Sequence, residues 1–318
     1  SPWTNFKTHP AEYAPAPTCY NSLVMPEDIL AGLNPAQREA VETITGPVLI
    51  LAGPGSGKTR VIVHRIAYLI KVCGVPPFRI AAVTFTNKAA REMRERLATL
   101  LGARAEDLTV GTFHRLCASI LRRDGGSIGL DQNFVIYDDD EQMTVVKRAM
   151  DDLGIDPESY APRAVHSAIE AAKSQLISVA EHAQRRMSYR DEIVHRIYER
   201  YEELLQRSKA VDFADLIFKA VRLLQEHPDI LAKYQDRYTH FMVDEFQDTD
   251  IAQYLLVRQL AAKSRNICVV GDPDQSIYSW RYADIRNILN FEKDYPEAKV
   301  VILEQNYRST KTILEAAD

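Results

Sequence analysis

"GPVLILAGPGSGKTR" occupies residues 46 to 60. Val48 to Ala52 form an apolar run of strand length, and glycines follow at 53, 55 and 57. Lys58 and Thr59 then lead into "TRVIVHRIAYLIKVCG", a helix-length segment. Strand, glycine loop and helix in this order fit a Walker A phosphate loop, with Ala52 at the position often held by the first glycine. Gly53, Gly55 and Gly57, with Ser56 among them, let backbone N–H groups curl around phosphate oxygens without Cβ clashes. Lys58 supplies a point charge for the β- and γ-phosphates, and Thr59 a hydroxyl for Mg²⁺. The helix N-terminus adds its partial positive charge. ATP and Mg²⁺ are therefore the expected ligands.

Working outward, three further apolar runs share the strand character of 48–53: "IAAVTFT" (80–86), "HFMVDE" (240–245) and "NICVVGD" (266–272). "TVGTF" (109–113) is a candidate fifth strand. Apolar strands alternating with helices predict a parallel α/β sheet covered on both faces. Between about 119 and 207 the texture becomes amphipathic, charged and poor in strands, as in "YRDEIVHRIYERYEELLQRSKA". The expectation is a P-loop α/β domain over 26–118 and 208–300, interrupted by a helical insertion over 119–207. Residues 1–25, with "HPAEYAPAPTCYNS", read as an irregular arm.

A phosphate loop needs a second metal ligand, and "FMVDEFQD" provides one. Its apolar run places Asp244 at the carboxyl end of a strand, where open α/β sheets bind ligands. Asp244 is the expected Mg²⁺ ligand, and Glu245 the group that orients or deprotonates an attacking water.

The chain of 318 residues is ordinary in composition, 46% hydrophobic and 26% charged, with a net charge of −5. No global basic field points to nucleic acid, so any such surface must be local. Cys19, Cys73, Cys117 and Cys268 are scattered without a CxxC pair, which argues against a zinc site or disulfide framework and suits a reducing cytoplasm. The apolar runs are too short to span a bilayer, and the N-terminus does not read as a signal peptide.

Several motifs in order carry a resemblance: "LNPAQREAV" (33–41), "AGPGSGKT" (52–59), "VTFTNKAAREM" (83–93), "VGTFHRL" (110–116), "VDEFQDTD" (243–250), "GDPDQSIYSWR" (271–281) and "LEQNYRST" (303–310). The set resembles the superfamily 1 DNA helicases of the UvrD/Rep/PcrA type over about residues 26 to 318. That resemblance implies RecA-like motor domains with helical insertions, moving 3′ to 5′ along single-stranded DNA with ATP. It implies single-stranded and 3′-tailed duplex DNA as partners, in repair or replication, with possible protein partners in those processes. Residues 301–318 would open a second RecA-like domain, so that the chain is an expected N-terminal motor half, monomeric by itself. A nucleotide-dependent DNA-recruitment module and the motor of a helicase–nuclease complex are the alternatives.

By the same resemblance, Gln37 reads the adenine edge, and Arg60 and Tyr307 sandwich the base. Gln275 senses the γ-phosphate, and Arg308 acts as an arginine finger. Tyr278 and Trp280 stack on DNA bases without choosing sequence. Phe85, Thr86, Asn87 and Lys88, together with Thr112 and His114, hold the DNA backbone or a base pocket. For His114, a helix-capping or core role is a nearly equal alternative. Tyr282 departs from the family pattern, where a glycine commonly follows the arginine.

Overall fold

A computed structural model of the chain describes residues 26–185, 188–275 and 286–307. Tyr278, Trp280, Tyr282 and Arg308 lie outside the described residues.

Among the described residues eight strands occur in chain order: β1 (Val48–Ala52), β2 (Ile80–Thr84), β3 (Thr109–Thr112), β4 (Val135–Ile136), β5 (Ala210–Val211), β6 (His240–Val243), β7 (Ile267–Gly271) and β8 (Lys299–Leu303). Six of them form one sheet in the order β3-β2-β6-β7-β1-β8, and every pairing in it is parallel. β3 realises the candidate strand in "TVGTF". The short strands β4 and β5 pair separately.

Side chains on a strand alternate between faces, and here that alternation divides the core in two. Val48, Ile50, Met242, Cys268 and Val270 belong to one apolar cluster, with residues of the helices Lys58–Lys71 and Asn87–Leu101. Leu49, Phe241, Val243, Ile267 and Val269 belong to the other, with the helices Phe113–Asp124, Phe213–Glu226 and Ile251–Ala261. Both faces are covered, so β2 and β7 are buried along their whole length, as their uninterrupted apolar runs require. Within Lys58–Lys71 the buried Val61, Ile62, Arg65, Ile66 and Leu69 recur at helical spacing and lay the helix along the sheet.

Two expected boundaries shift. The helix Phe113–Asp124 crosses residue 119, yet Ile120 and Leu121 pack into the sheet's core, so the insertion's own cluster is drawn from Val146 to Ala210. At the other end, β8 pairs with β1 from Val48↔Lys299 to Ala52↔Leu303. Residues 301–303, expected to open a second motor domain, instead finish the edge strand of this sheet. An alternating pattern with Val300 and Ile302 exposed suits such an edge, and this is why it read less clearly than the inner strands.

The insertion is fastened to the core by a buried ion network. Lys173 on the helix Pro162–Ser174 lies 2.5 Å from Glu202, 2.6 Å from Asp212 and 2.9 Å from Asp215. Burial alone would depress its pKa, but the carboxylates of Asp212, Asp215 and Glu202 outweigh that and hold it well above the usual lysine value. These three carboxylates are close enough together to ligate a metal. The ammonium groups of Lys173 and Lys219 already pair with them, Lys219 lying 3.3 Å from both Glu202 and Asp215, so the cluster is a structural clasp.

Candidate active site

The phosphate loop follows β1. Gly55 and Gly57 have φ of 71° and 89°, in the left-handed region that favours glycine. Gly57 is constrained twice, because a Cβ there would come 2.9 Å from Gln37 Nε2. Ser56 closes the turn by donating its hydroxyl to Gly53 O at 2.7 Å. Lys58 is the first helical residue, so the free N–H groups of the first turn face the loop's concavity.

Gln37 is buried against this loop. Its Nε2 donates to Ser56 O at 2.8 Å, and its Oε1 accepts from Asn34 N at 3.1 Å. Asn34 in turn caps the helix Pro35–Glu42 by accepting from Gln37 N at 2.8 Å. This capping box is written in "NPAQ", and it fixes the glutamine amide beside the loop. Asn34 also donates from Nδ2 to Tyr307 Oη at 2.9 Å, while Tyr307 N donates to Gly55 O at 2.9 Å. Asn306 Nδ2 donates to Pro54 O at 2.7 Å. Gln37, Tyr307 and the loop are thus brought together, and Tyr307 is 52% exposed. Arg60 is exposed on the first turn of the loop's helix, and its guanidinium approaches Gly32. Asn34 and Asn306 were not singled out from the sequence. The signal for Asn34 is an N-cap residue directly before Pro; Asn306 carries no pattern that marks it.

Opposite the loop, β6 ends in the two acids. Asp244 is buried, and its Oδ2 accepts from Thr59 Oγ1 at 3.1 Å, so the two expected metal ligands meet. Such a hydroxyl–carboxylate pair is the oxygen donor set that suits Mg²⁺. Burial first, then the neighbouring Glu245, pushes the Asp244 carboxyl up to about 6, against the pull of Thr59 and Lys58. Glu245 adopts φ 51° and ψ 48°, an uncommon conformation for a residue with a side chain. That kink turns its carboxylate toward Lys58 Nζ, 3.8 Å away. Lys58 also lies 3.5 Å from the buried Asp272, at the end of β7. Gln275 donates from Nε2 to the same Asp272 Oδ2, which brings the expected γ-phosphate sensor to the lysine's partner.

Asp272, Gln247 and Asp248 complete the acid-rich floor and were not picked out from the sequence, although "DEFQD" and "GDPDQ" contain them. Asp248 is likewise raised to about 6, by burial and then by Glu245. A raised Asp244 has a testable consequence. If Asp244 holds the metal, binding requires its carboxylate, so Mg·ATP binding is expected to release protons near pH 6, whereas at pH 8 Asp244 is already ionised. Calorimetry of Mg·ATP binding in buffers of different ionisation enthalpy should show net proton release at pH 6, and less from Asp244→Asn.

The remaining expected residues gather at the ends of β2 and β3, whose register pairs Thr84 with Thr112. Thr86 caps the helix Asn87–Leu101 by accepting from Ala89 N at 3.1 Å, and Thr112 caps Phe113–Asp124 by accepting from Arg115 N at 3.3 Å. Their hydroxyls therefore serve the helix ends directly. Thr86, Asn87 and Lys88 are exposed, and Phe85 is half-buried beside them. His114 meets Phe213 edge-on, with ring centres 6.0 Å apart. Phe213 was also passed over, yet it is 44% exposed, and the capping box of Asp212 and Asp215 holds it at the start of its helix.

The family profile described as UvrD/REP helicase N-terminal domain matches residues 33–296. The chain is 50% identical over 290 residues to the ATP-dependent DNA helicase PcrA of Bacillus subtilis (strain 168), covering 91% of this chain and 39% of that protein. It is 52% identical over 293 residues to the PcrA helicase of Leuconostoc citreum, covering 92% and 39% respectively. The PcrA helicase of Staphylococcus aureus (strain Mu50 / ATCC 700699) is 50% identical over 290 residues, at 91% and 40%. The chain thus spans about two fifths of the length of these relatives. Among its described residues no helix is long and apolar enough to cross a membrane. With a glycine loop, a Thr59–Asp244 pair and a kinked acid assembled on one parallel sheet, this chain belongs to the UvrD/REP helicase N-terminal domain family.

Proposed function

We propose that this chain is the nucleotide-binding motor half of a DNA helicase, coupling ATP hydrolysis to 3′–5′ movement on single-stranded DNA and to duplex separation in repair or replication. The observation that carries this reading is the division of one sheet edge. The ends of β1, β6 and β7 bear Lys58, Thr59, Asp244, Glu245 and Asp272, while the adjoining ends of β2 and β3 bear Phe85, Thr86, Thr112 and His114. A rigid sheet with a nucleotide at one half and a DNA strand at the other is suited to converting hydrolysis into displacement.

In this reading Lys58 meets the β- and γ-phosphates, Thr59 and Asp244 hold Mg²⁺, and Glu245 takes the proton of the attacking water. Mg²⁺ supplies charge neutralisation of the phosphates when bound. Gln37 recognises the adenine edge, with Arg60 and Tyr307 on its faces. Arg308 supplies charge to the transition state, and Gln275 reports the γ-phosphate. Tyr278, Trp280 and Phe85 stack on bases, and we add Phe213 to that set on its exposure beside His114.

Stacking of a base on an aromatic ring is worth about 1–3 kcal/mol, so Phe213→Ala and Trp280→Ala should each weaken single-strand binding by that amount, with little dependence on base. Fluorescence titration with different homopolymers measures it; a loss confined to one base would replace stacking with a specific pocket.

Phosphate release with and without single-stranded DNA, beside unwinding of a 3′-tailed duplex, tests the whole reading. The 318-residue chain is expected to bind ATP, to turn it over slowly with little DNA stimulation, and to separate no duplex. The same assay on a chain of the relatives' full length should give DNA-stimulated turnover and unwinding. DNA gripping by the longer chain without turnover would favour the recruitment module.

A further inference from the structure

The acids of β6 and the turn after β7 are joined by one amide that the assignments above leave unused. Gln247 is 1% exposed in the turn Phe246–Asp248. Its Oε1 accepts from Asp272 N at 2.9 Å. Its Nε2 donates to Glu245 Oε2 at 3.0 Å and to Asp248 Oδ2 at 3.4 Å. Only an amide can do all three: a glutamate has no donor for the acids, and an apolar side chain leaves the buried Asp272 N–H unmet. The neighbouring strand leaves room for it. A Cβ on Gly271 would come 3.0 Å from Gln247 Oε1 and 3.3 Å from Gln247 N, tighter than most such contacts, so the amide would have to shift.

Glu245 needs such a support. Its side chain is 35% exposed, and its contact with Lys58 is a loose 3.8 Å. The Gln247 amide is the shorter of these two contacts. At its far end the amide touches the residue that starts the Asp272–Gln275 turn, where Gln275 N donates to Asp272 O at 3.1 Å. Rotation of that turn moves Asp272 N, and with it the anchor of Glu245.

We propose that Gln247 is a positioning residue: a strut that fixes the Glu245 carboxylate for water activation and transmits movement of the Asp272–Gln275 turn to it. This rests on the assignment of Glu245 given above. The strut does not touch nucleotide, so its loss acts on turnover and leaves binding alone.

The test uses the 318-residue chain, with affinity from a fluorescent ATP analogue and single-turnover phosphate release. Loss of a group that supports a reacting group typically costs about 10–100-fold in activity, so Gln247→Ala should slow turnover by that factor while nucleotide affinity stays within roughly threefold. Gly271→Ala should reproduce the defect by crowding the amide, and should cost less in a Gln247→Ala background than alone. Gln247→Glu keeps the volume and serves as the second variant if Gln247→Ala melts out under assay conditions. Unchanged turnover in a folded Gln247 variant, or parallel loss of affinity and turnover, overturns the strut. Glu245→Gln separates the two failures: if it slows turnover and the Gln247 variants do not, only the strut falls. If Glu245→Gln has no effect, the assignment of Glu245 falls first.

Discussion

Glu245→Gln should retain Mg·ATP and slow its hydrolysis by about 10²–10⁴-fold, the range for a positioned general base. The substitution keeps the side chain's shape and can keep one hydrogen bond with Gln247, so the turn Phe246–Asp248 and its φ 51° kink are preserved. What it removes is the proton acceptor and one negative charge near the phosphates. Affinity for ATP should therefore hold or rise while turnover falls. It should also lower the carboxyl pKa values of Asp244 and Asp248, because Glu245 is the largest charge raising both after burial itself. Single-turnover phosphate release, beside titration of a fluorescent nucleotide, reads both effects. A variant that hydrolyses at the parental rate would transfer the role of base to another group, with the buried Asp248 a candidate through its shared contact with Gln247.

Much of this site was legible because its chemistry is concentrated in short runs at strand ends. The apolar texture of 48–52 and 240–243 identifies buried strands, and the segment after each run must lie at the sheet's carboxyl edge, where the glycine loop with Lys58 and the acid Asp244 are found. What connects those ends was not legible. Gln247 serves β7 from a turn after β6, and nothing in its local sequence distinguishes a strut from a solvated glutamine. Asn34 reaches Tyr307 across 273 residues of chain, and Asn306 reaches Pro54 of the phosphate loop across 252. Such pairings depend on strand order, which a single sequence leaves open. The boundary errors have the same origin. The helix Phe113–Asp124 has one amphipathic face whether it packs on the sheet or in the insertion, and β8 looks like the start of something new until its partner β1 is known. Lys173 shows a further limit, because a lysine on an amphipathic helix reads as solvated and only the fold surrounds it with Glu202, Asp212 and Asp215.

Lys58→Ala should abolish nucleotide binding over the working range of the assay, by a different route. Lys58 stands within 4 Å of Glu245 and Asp272 and also holds down the carboxyl pKa values of Asp244 and Asp248. Among the described residues it is the cation paired with Glu245 and Asp272 of this acid floor. Two unit charges 4 Å apart interact by about 4 kcal/mol at an effective dielectric of about 20, so loss of one contact with the terminal phosphates corresponds to roughly 10³-fold in affinity. Asp272 and Glu245 would then face ATP uncompensated, which adds to the loss. The direction of the acid shifts gives a second reading. Without the lysine, Asp244 and Asp248 move further up from about 6, and more of each is protonated at neutral pH. Residual Mg·ATP binding should then improve as the pH is raised from 7 to 8.5, since Asp244 recovers the charge needed for the metal. Lys58→Arg restores the charge in a different shape and should recover part of the affinity without recovering turnover, because a planar guanidinium cannot take the ammonium's place between the phosphates. Equal affinity in Lys58→Ala and the parent, measured by equilibrium titration at low ionic strength, would mean that the loop's backbone amides carry the binding and that Lys58 serves only to neutralise the acids beneath it.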